Sequence, residues 1–377
     1  MTNLNQHKYF TSLDKVPQIS EEERALLEPV QEEFYFRTNT YYNSLINWDE
    51  PDDPLRKMVI PSVQEHDDGG LLDEYDEQTT VVIQGLQRKY YNQCSLLIAS
   101  VCGATCRYCY RKRIFMEGAN DEIAVDMEKI VAYLQQNPEV TCLVITGGDP
   151  LVLSAAKLKK FLQPLREVET IRHIRVSSKM VAFNPHKIIE DTEMLEVLES
   201  LRTPDKNVWV SAHITHPREI TDVAVRAINL IHDRGISMMN NFPIVKGIND
   251  DPQVIAEIYN RMVELGIFNY YTYICSPTKG NVSCVIPVEK ALEIQEQAKR
   301  LASGFSRTGR LIMCTNTANI EVLGKSDGRI YFQFFHAREP QYDNVIFSLQ
   351  SNPEACWFED YEEVKKGECQ LPLGQQV

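Results

Sequence analysis

No run of apolar residues in this 377-residue chain is long enough to cross a bilayer. The first fifteen residues, Met1 to Lys15, are polar and carry no apolar signal region, so export is not expected and a cytoplasmic location is. Positive charge is also in short supply: 39 Lys and Arg face 53 Asp and Glu, a net charge of −14. That balance disfavours non-specific nucleic-acid binding. The one dense basic cluster is Arg111-Lys112-Arg113. Internal repeats and low-complexity linkers are missing, which leaves a globular chain able to bury one large core or two ordinary ones.

Cysteine, by contrast, is plentiful, with ten in the chain. Without an export signal these read as reduced thiols or metal ligands rather than disulfides. Cys102, Cys106 and Cys109 form a C-x3-C-x2-C motif within Val101–Arg113. Three thiolates on one loop can cap three corners of an iron–sulfur cluster, and a four-iron cluster normally takes four cysteines. A missing fourth ligand leaves one iron open. The competing reading is a structural zinc site, which usually needs four closed ligands; here the next cysteine is Cys142. Cys94, Cys142, Cys275, Cys284 and Cys314 read as small buried hydrophobes. Cys356 and Cys369 read as free thiols, with metal ligation as the alternative.

Residues 1–90 are acidic and aromatic-rich, and read as a mainly helical extension in which Ser20 caps a helix with Glu23 three residues on. From residue 95 short apolar runs alternate with amphipathic segments. Strands are expected at 95–101, 141–146, 173–178, 208–213, 236–244, 269–275 and 310–314. Helices are expected at 125–136, 155–165, 193–201, 222–234, 252–265 and 288–302. Such alternation argues for an α/β fold, a partial (β/α)6 TIM-like barrel over 91–316 with a C-terminal extension over 317–377. Chemistry in such barrels gathers at the C-terminal ends of the strands, where the cysteine motif falls.

Thr146-Gly147-Gly148-Asp149-Pro150 ends the second expected strand. Paired glycines let backbone approach a ligand, and an acidic neighbour suits an ammonium; the alternative is a plain tight turn. His213 and His216 close the fourth strand, as cofactor contacts or as hydrogen-bonded structural residues. Ser178 ends the third strand and Asn241 lies in the fifth. Asn249 and Asp250 read as a turn and N-cap before Pro252.

These motifs resemble the radical S-adenosylmethionine superfamily, and in particular its lysine 2,3-aminomutase-like branch. The resemblance runs from about Tyr41 to Cys314. It includes Tyr42–Lys57, Ile60-Pro61, Asn92–Cys94, Cys109–Arg113, Thr146–Leu151 and Tyr270–Cys275. It implies a 4Fe–4S cluster on Cys102, Cys106 and Cys109. It implies S-adenosylmethionine contacts from Tyr108, beside the adenine, and from Gly147, Gly148, Asp149, Ser178, His213 and Asn241. It implies Arg111 as the grip for a substrate carboxylate. The mutases also carry pyridoxal phosphate on a lysine after a glycine run. Here Met313–Lys325 has no such run and Lys325 is displaced; of the residues that hold the phosphate, one is retained as Lys89 and the other is Gln93. Pyridoxal phosphate is therefore not expected. The aspartates that hold lysine's distal ammonium correspond to Ser276 and Cys314, so lysine is not the expected substrate.

The expected activity is generation of a 5′-deoxyadenosyl radical that takes hydrogen from a small carboxylate- or phosphate-bearing, amino-acid-like substrate. The alternatives are a pyridoxal phosphate-dependent aminomutase on another amino acid, and a non-enzymatic redox sensor. Expected partners are that substrate and an electron donor of the flavodoxin or ferredoxin type, with a homodimer as a candidate assembly.

Overall fold

The computed structural model describes residues 8–67, 69–116 and 122–366. Seven parallel strands form its centre: β1 Gln93–Ala99, β2 Cys142–Gly147, β3 His173–Ser178, β4 Asn207–Ala212, β5 Ser237–Ile244, β6 Phe268–Ile274 and β7 Arg310–Cys314. The main outer helices are α1 Met127–Gln136, α2 Ala155–Leu162, α3 Thr192–Ser200, α4 Asp222–Asp233, α5 Pro252–Glu264 and α6 Val288–Leu301. Five of the six start on a side-chain cap that accepts from the first turn: Asp126, Ser154, Asp191, Thr221 and Asp251. Asp251, not Asn249 or Asp250, caps α5.

Alternate strand residues bury against these helices. Leu143, Ile145, Ile174, Val176, Val208 and Val210 share one apolar core with Ile130, Leu134, Leu158 and Leu198. The other face of each strand looks into the barrel, and it includes polar and aromatic residues: Arg175, Ser211, Asn241 and Tyr273.

The sheet does not close. Its twelve strands run in sequence order from edge to edge, so the barrel is partial, as expected. Beyond β1 it continues antiparallel through Leu86–Tyr90 and Val81–Ile83. Beyond β7 it continues through β8 Ala318–Ser326, β9 Arg329–Ala337 and β10 Ile346–Gln350. The expectation of a mainly helical N-terminal extension is therefore incomplete. Its helix Glu21–Glu33 does start on Ser20, but two strands at its end join the main sheet. Gly85, at φ +80°, makes that turn, and a Cβ there would lie 2.1 Å from the Ala124 nitrogen. The β8–β9 turn is likewise a left-handed Asp327-Gly328 pair, a strong hairpin signal.

The C-terminal segment thus extends the barrel sheet. Phe332 is fully buried, its ring 5.5 Å from Phe347, 6.1 Å from Phe358 and 5.6 Å from Tyr361. We expect Phe332→Ala to cost about 3–5 kcal/mol. Because β8 pairs with β7, it should lower the barrel's own thermal midpoint, read by circular dichroism, rather than create a separate early transition.

Candidate functional site

The loop after β1 carries the three cysteines, and the turn after β2 holds it in place. Gly148 donates its N–H to the Ala99 carbonyl at 2.6 Å, and Asp149 to the Val101 carbonyl at 2.8 Å. A Cβ on Gly147 would lie 2.4 Å from Ala99 O, and one on Gly148 2.4 Å from Val101 O; Gly147 also has φ +112°. Both glycines are thus required for backbone to dock on backbone beside Cys102. Asp149 is buried, and its two carboxylate oxygens accept from Leu151 N at 2.9 Å and Lys179 N at 2.7 Å. The Ser178 hydroxyl also bonds to it. Burial pushes this carboxyl up to about 6. Asp149 ties the ends of β2 and β3 together beside the cysteine loop.

Cys102, Cys106 and Cys109 are unbridged and half-buried. Burial pushes all three thiols up, Cys106 to about 12, and Cys102 is raised further by Asp149 and by the other two thiols. They are thus close enough to feel one another's charge, and a bound cationic centre would draw off their protons. Among the described residues no three His, Cys, Asp or Glu side chains converge on one point as a single ion requires. Cys356 lies apart, its thiol donating to the Glu354 carbonyl at 3.6 Å. Cys369 lies outside the described residues.

Four cations bracket Cys109; two glutamates from the N-terminal extension pair with all four, and Asp73 and Glu122 add their charge at Arg113. Glu65 meets Arg107 at 2.6 Å and Lys112 at 3.0 Å. Glu77 meets Arg111 at 2.6 Å and Arg113 at 2.8 Å. The four cations and these two glutamates are buried. Arg111 also donates to the Thr146 hydroxyl at 2.7 Å. Its fork is thus engaged by an internal carboxylate, that of Glu77.

A second buried network joins the loop to β3 and β4. The Tyr108 hydroxyl is 2.8 Å from Thr215 Oγ1. Lys179 donates to Thr215 at 3.1 Å, pairs with Glu219 at 2.8 Å and bonds the His213 carbonyl. Glu219 also accepts from Tyr42 at 2.8 Å. His213 and His216 separate in role. His216 caps the turn Pro217–Glu219 through Nδ1. His213 lines the barrel, its Nδ1–H donating to the Asn241 carbonyl at 3.1 Å, which leaves Nε2 as an acceptor. Burial and the Lys179 charge hold it down to about 3, so the ring is neutral. The Asn241 side chain accepts from Ser211. Asn249 closes its own turn on Val245 N at 2.7 Å.

At the C-terminal ends of β6 and β7, the Ser276 hydroxyl meets Thr278 at 2.9 Å and the Cys314 thiol donates to Asn319 at 3.0 Å. Neither offers charge. Lys325 ion-pairs with Glu289 on outer helix α6. Lys89 is half-buried beside the Tyr75 and Tyr90 rings, at 5.6 and 5.7 Å, and donates to the Thr315 carbonyl. Glu65, Glu77, Lys179 and Arg175 are not singled out by the sequence. Of the new residues only Glu219 carries a local signal, the His216-x-x-Glu219 capping box.

A family profile described as the radical SAM superfamily matches residues 96–258. Over 358 residues, 95% of this chain and 96% of the relative, the sequence is 40% identical to a protein of Aquifex aeolicus (strain VF5) named "Putative L-lysine 2,3-aminomutase". It is 31% identical over 305 residues, 80% of each chain, to a second protein of that name and organism. It is 30% identical over 293 residues, 77% of this chain and 68% of the relative, to the L-lysine 2,3-aminomutase of Clostridium subterminale.

Burial raises the Glu77 carboxyl, but Arg111 and Arg113 outweigh it and hold the group at about 2 against an ordinary 4.5. A carboxyl depressed on folding adds stability that is complete above its free value and lost as pH falls toward the folded one. The Glu77 contribution, about 3 kcal/mol, should therefore persist down to pH 4.5 and fade between 4.5 and about 2. Glu77→Gln should lose that amount near neutral pH and flatten this window, read as urea midpoints across pH.

Proposed function

The chain belongs to the lysine 2,3-aminomutase-like branch of the radical SAM superfamily and is an enzyme, and from that premise we propose that it acts by radical chemistry on a small anionic substrate without pyridoxal phosphate. The observation that carries this reading is the glycine-docked loop. It holds three neighbouring thiols at the C-terminal mouth of the barrel, where the strand ends converge.

Cys102, Cys106 and Cys109 would hold three irons of a 4Fe–4S cluster. When bound, such a cluster supplies one-electron cleavage of S-adenosylmethionine at its open iron, giving the 5′-deoxyadenosyl radical that takes the substrate hydrogen. Around it the chain's own residues position and shield. Gly147 and Gly148 set the height of the cysteine loop against the second strand. Asp149 and Ser178 lock the rim of β2 to β3. Tyr108, anchored on Thr215, offers its ring beside the adenine. His213 is neutral and oriented by the Asn241 carbonyl, so it presents Nε2 as an acceptor. Tyr273 and Tyr90, both deeply placed, crowd bulk water away from a reactive intermediate.

The reading against pyridoxal phosphate rests on Lys325. An imine needs an amine facing the barrel, and Lys325 is tied to Glu289 on the outer layer. Ser276 and Cys314 likewise bring no carboxylate to a distal ammonium, which supports a substrate other than lysine.

The test is anaerobic reconstitution to about four irons per chain, then dithionite and S-adenosylmethionine, with 5′-deoxyadenosine quantified by mass spectrometry. We expect product from the native chain and none from Cys106→Ala. No product from a fully loaded native protein, with an EPR signal unmoved by S-adenosylmethionine, would overturn the radical-generating reading. Pyridoxal phosphate added to the same protein should give no imine band and no borohydride-fixed adduct; a labelled lysine would reverse that part of the proposal.

A further inference from the structure

We propose that the interior of the barrel holds an anion-binding subsite built on Arg175, which receives a carboxylate or phosphate group of the substrate. This deepens the reading above and rests on its placement of the substrate inside the barrel.

Arg175 lies in the middle of β3, paired in register with Val144 on β2 and Trp209 on β4. Its neighbours Ile174 and Val176 are fully buried in the outer core. Alternation along a strand therefore turns Arg175 to the interior. There its Nε is buried with no hydrogen-bond partner. Its guanidinium forms no ion pair among the described residues; its one close partner is the Tyr270 ring, 5.8 Å away.

Arg24 and Arg37 of the N-terminal extension also have a buried, unpartnered Nε, but the other buried cations of the cysteine loop and the barrel are compensated. Arg107 and Lys112 share Glu65, Arg111 and Arg113 share Glu77, and Lys179 has Glu219. Buried Lys206, which also lacks a carboxylate, donates to three carbonyls, those of Leu165, Arg166 and Val168. Arg175 has neither kind of compensation. Arg175 is half-buried; a partly desolvated guanidinium without a counter-charge is unfavourable, and an arriving anion relieves that cost. Its planar fork matches a carboxylate or phosphate through two parallel bonds.

A second cation shares the compartment. The charges of Arg175 and Lys89 both reach Cys314, and both reach the His336 ring, which stacks on Tyr90 at 4.0 Å. The carboxylates whose charge reaches Lys89 are Glu77 and Asp73, and these already serve Arg111 and Arg113. Since Glu77 occupies the Arg111 fork, Arg175 is the guanidinium left to take an external anion.

The experiment uses cluster-loaded protein with S-adenosylmethionine, titrated calorimetrically at fixed ionic strength. The probes are inorganic phosphate, glutarate and pyridoxal 5′-phosphate. We expect saturable binding of phosphate or glutarate, weakened about tenfold or more in Arg175→Gln and partly restored in Arg175→Lys. Arg88→Gln, which removes a cation paired with Glu139, should leave it unchanged. Phosphate and glutarate report separately which anion the site prefers. Because Arg175→Gln removes an uncompensated charge, its thermal midpoint should hold or rise; a structural arginine would lower it. Formation of 5′-deoxyadenosine in the same variant shows that the radical machinery is intact, so its loss is read apart from loss of anion binding. Two results overturn the subsite: no saturable binding of any probe to the native protein up to about 10 mM, or equal binding to Arg175→Gln. Arg175-dependent binding of pyridoxal phosphate alone, fixed by borohydride, overturns the assignment to substrate.

Discussion

Burying four cations around one cysteine is the constraint on which the rest of this molecule depends. Arg107, Arg111, Lys112 and Arg113 flank Cys109, and none of them reaches bulk water freely. Charges removed from water are tolerated only when paired and hydrogen-bonded. Glu65 and Glu77 supply that pairing, and both come from the segment before the barrel. The N-terminal extension is thereby a structural part of the site. Its Asn39 reinforces this by donating to the carbonyls of Gly103 and Phe183, at 3.0 and 2.9 Å.

The same economy of partners runs around the barrel rim. Gly148 and Asp149 dock on β1 through backbone bonds, Asp149 reaches Lys179, Lys179 reaches Glu219, and Glu219 reaches Tyr42. Each link uses a group that would be costly if left alone. The result is a rigid collar in which few polar groups remain free for a ligand: a neutral histidine acceptor, the three thiols and, deeper in, an unpaired guanidinium. Function is best sought in what such a network leaves unsatisfied.

The barrel was legible because its signals are local. The period of each strand and helix, and caps such as Ser154 and Thr221, are written in adjacent residues, so the seven core strands and six main helices fall within a few residues of expectation. The edge hairpins are equally local, through Gln84-Gly85 and Asp327-Gly328; of their strands only the segment Phe332–His336 stood out in the sequence, and it lies within β9. The internal partners of Asp149 and Arg111 were not legible for a different reason. Each residue type suits a ligand, each also has a partner inside the protein, and no spacing rule announces that.

By itself, then, the sequence determined the kind of protein this is: three cysteines on one loop, a glycine pair at the next strand end and a regular α/β period are all short-range facts. Only the tertiary structure decided which charged groups are spent and which remain. Glu77 and Arg111 are 34 residues apart, and Tyr42 and Glu219 are 177 apart, so their pairing exists only once the sheet has curled. Arg175 is a surface-type residue in sequence and becomes an unpaired interior charge for the same reason. Pairing depends on distance in space, and the fold alone sets that distance.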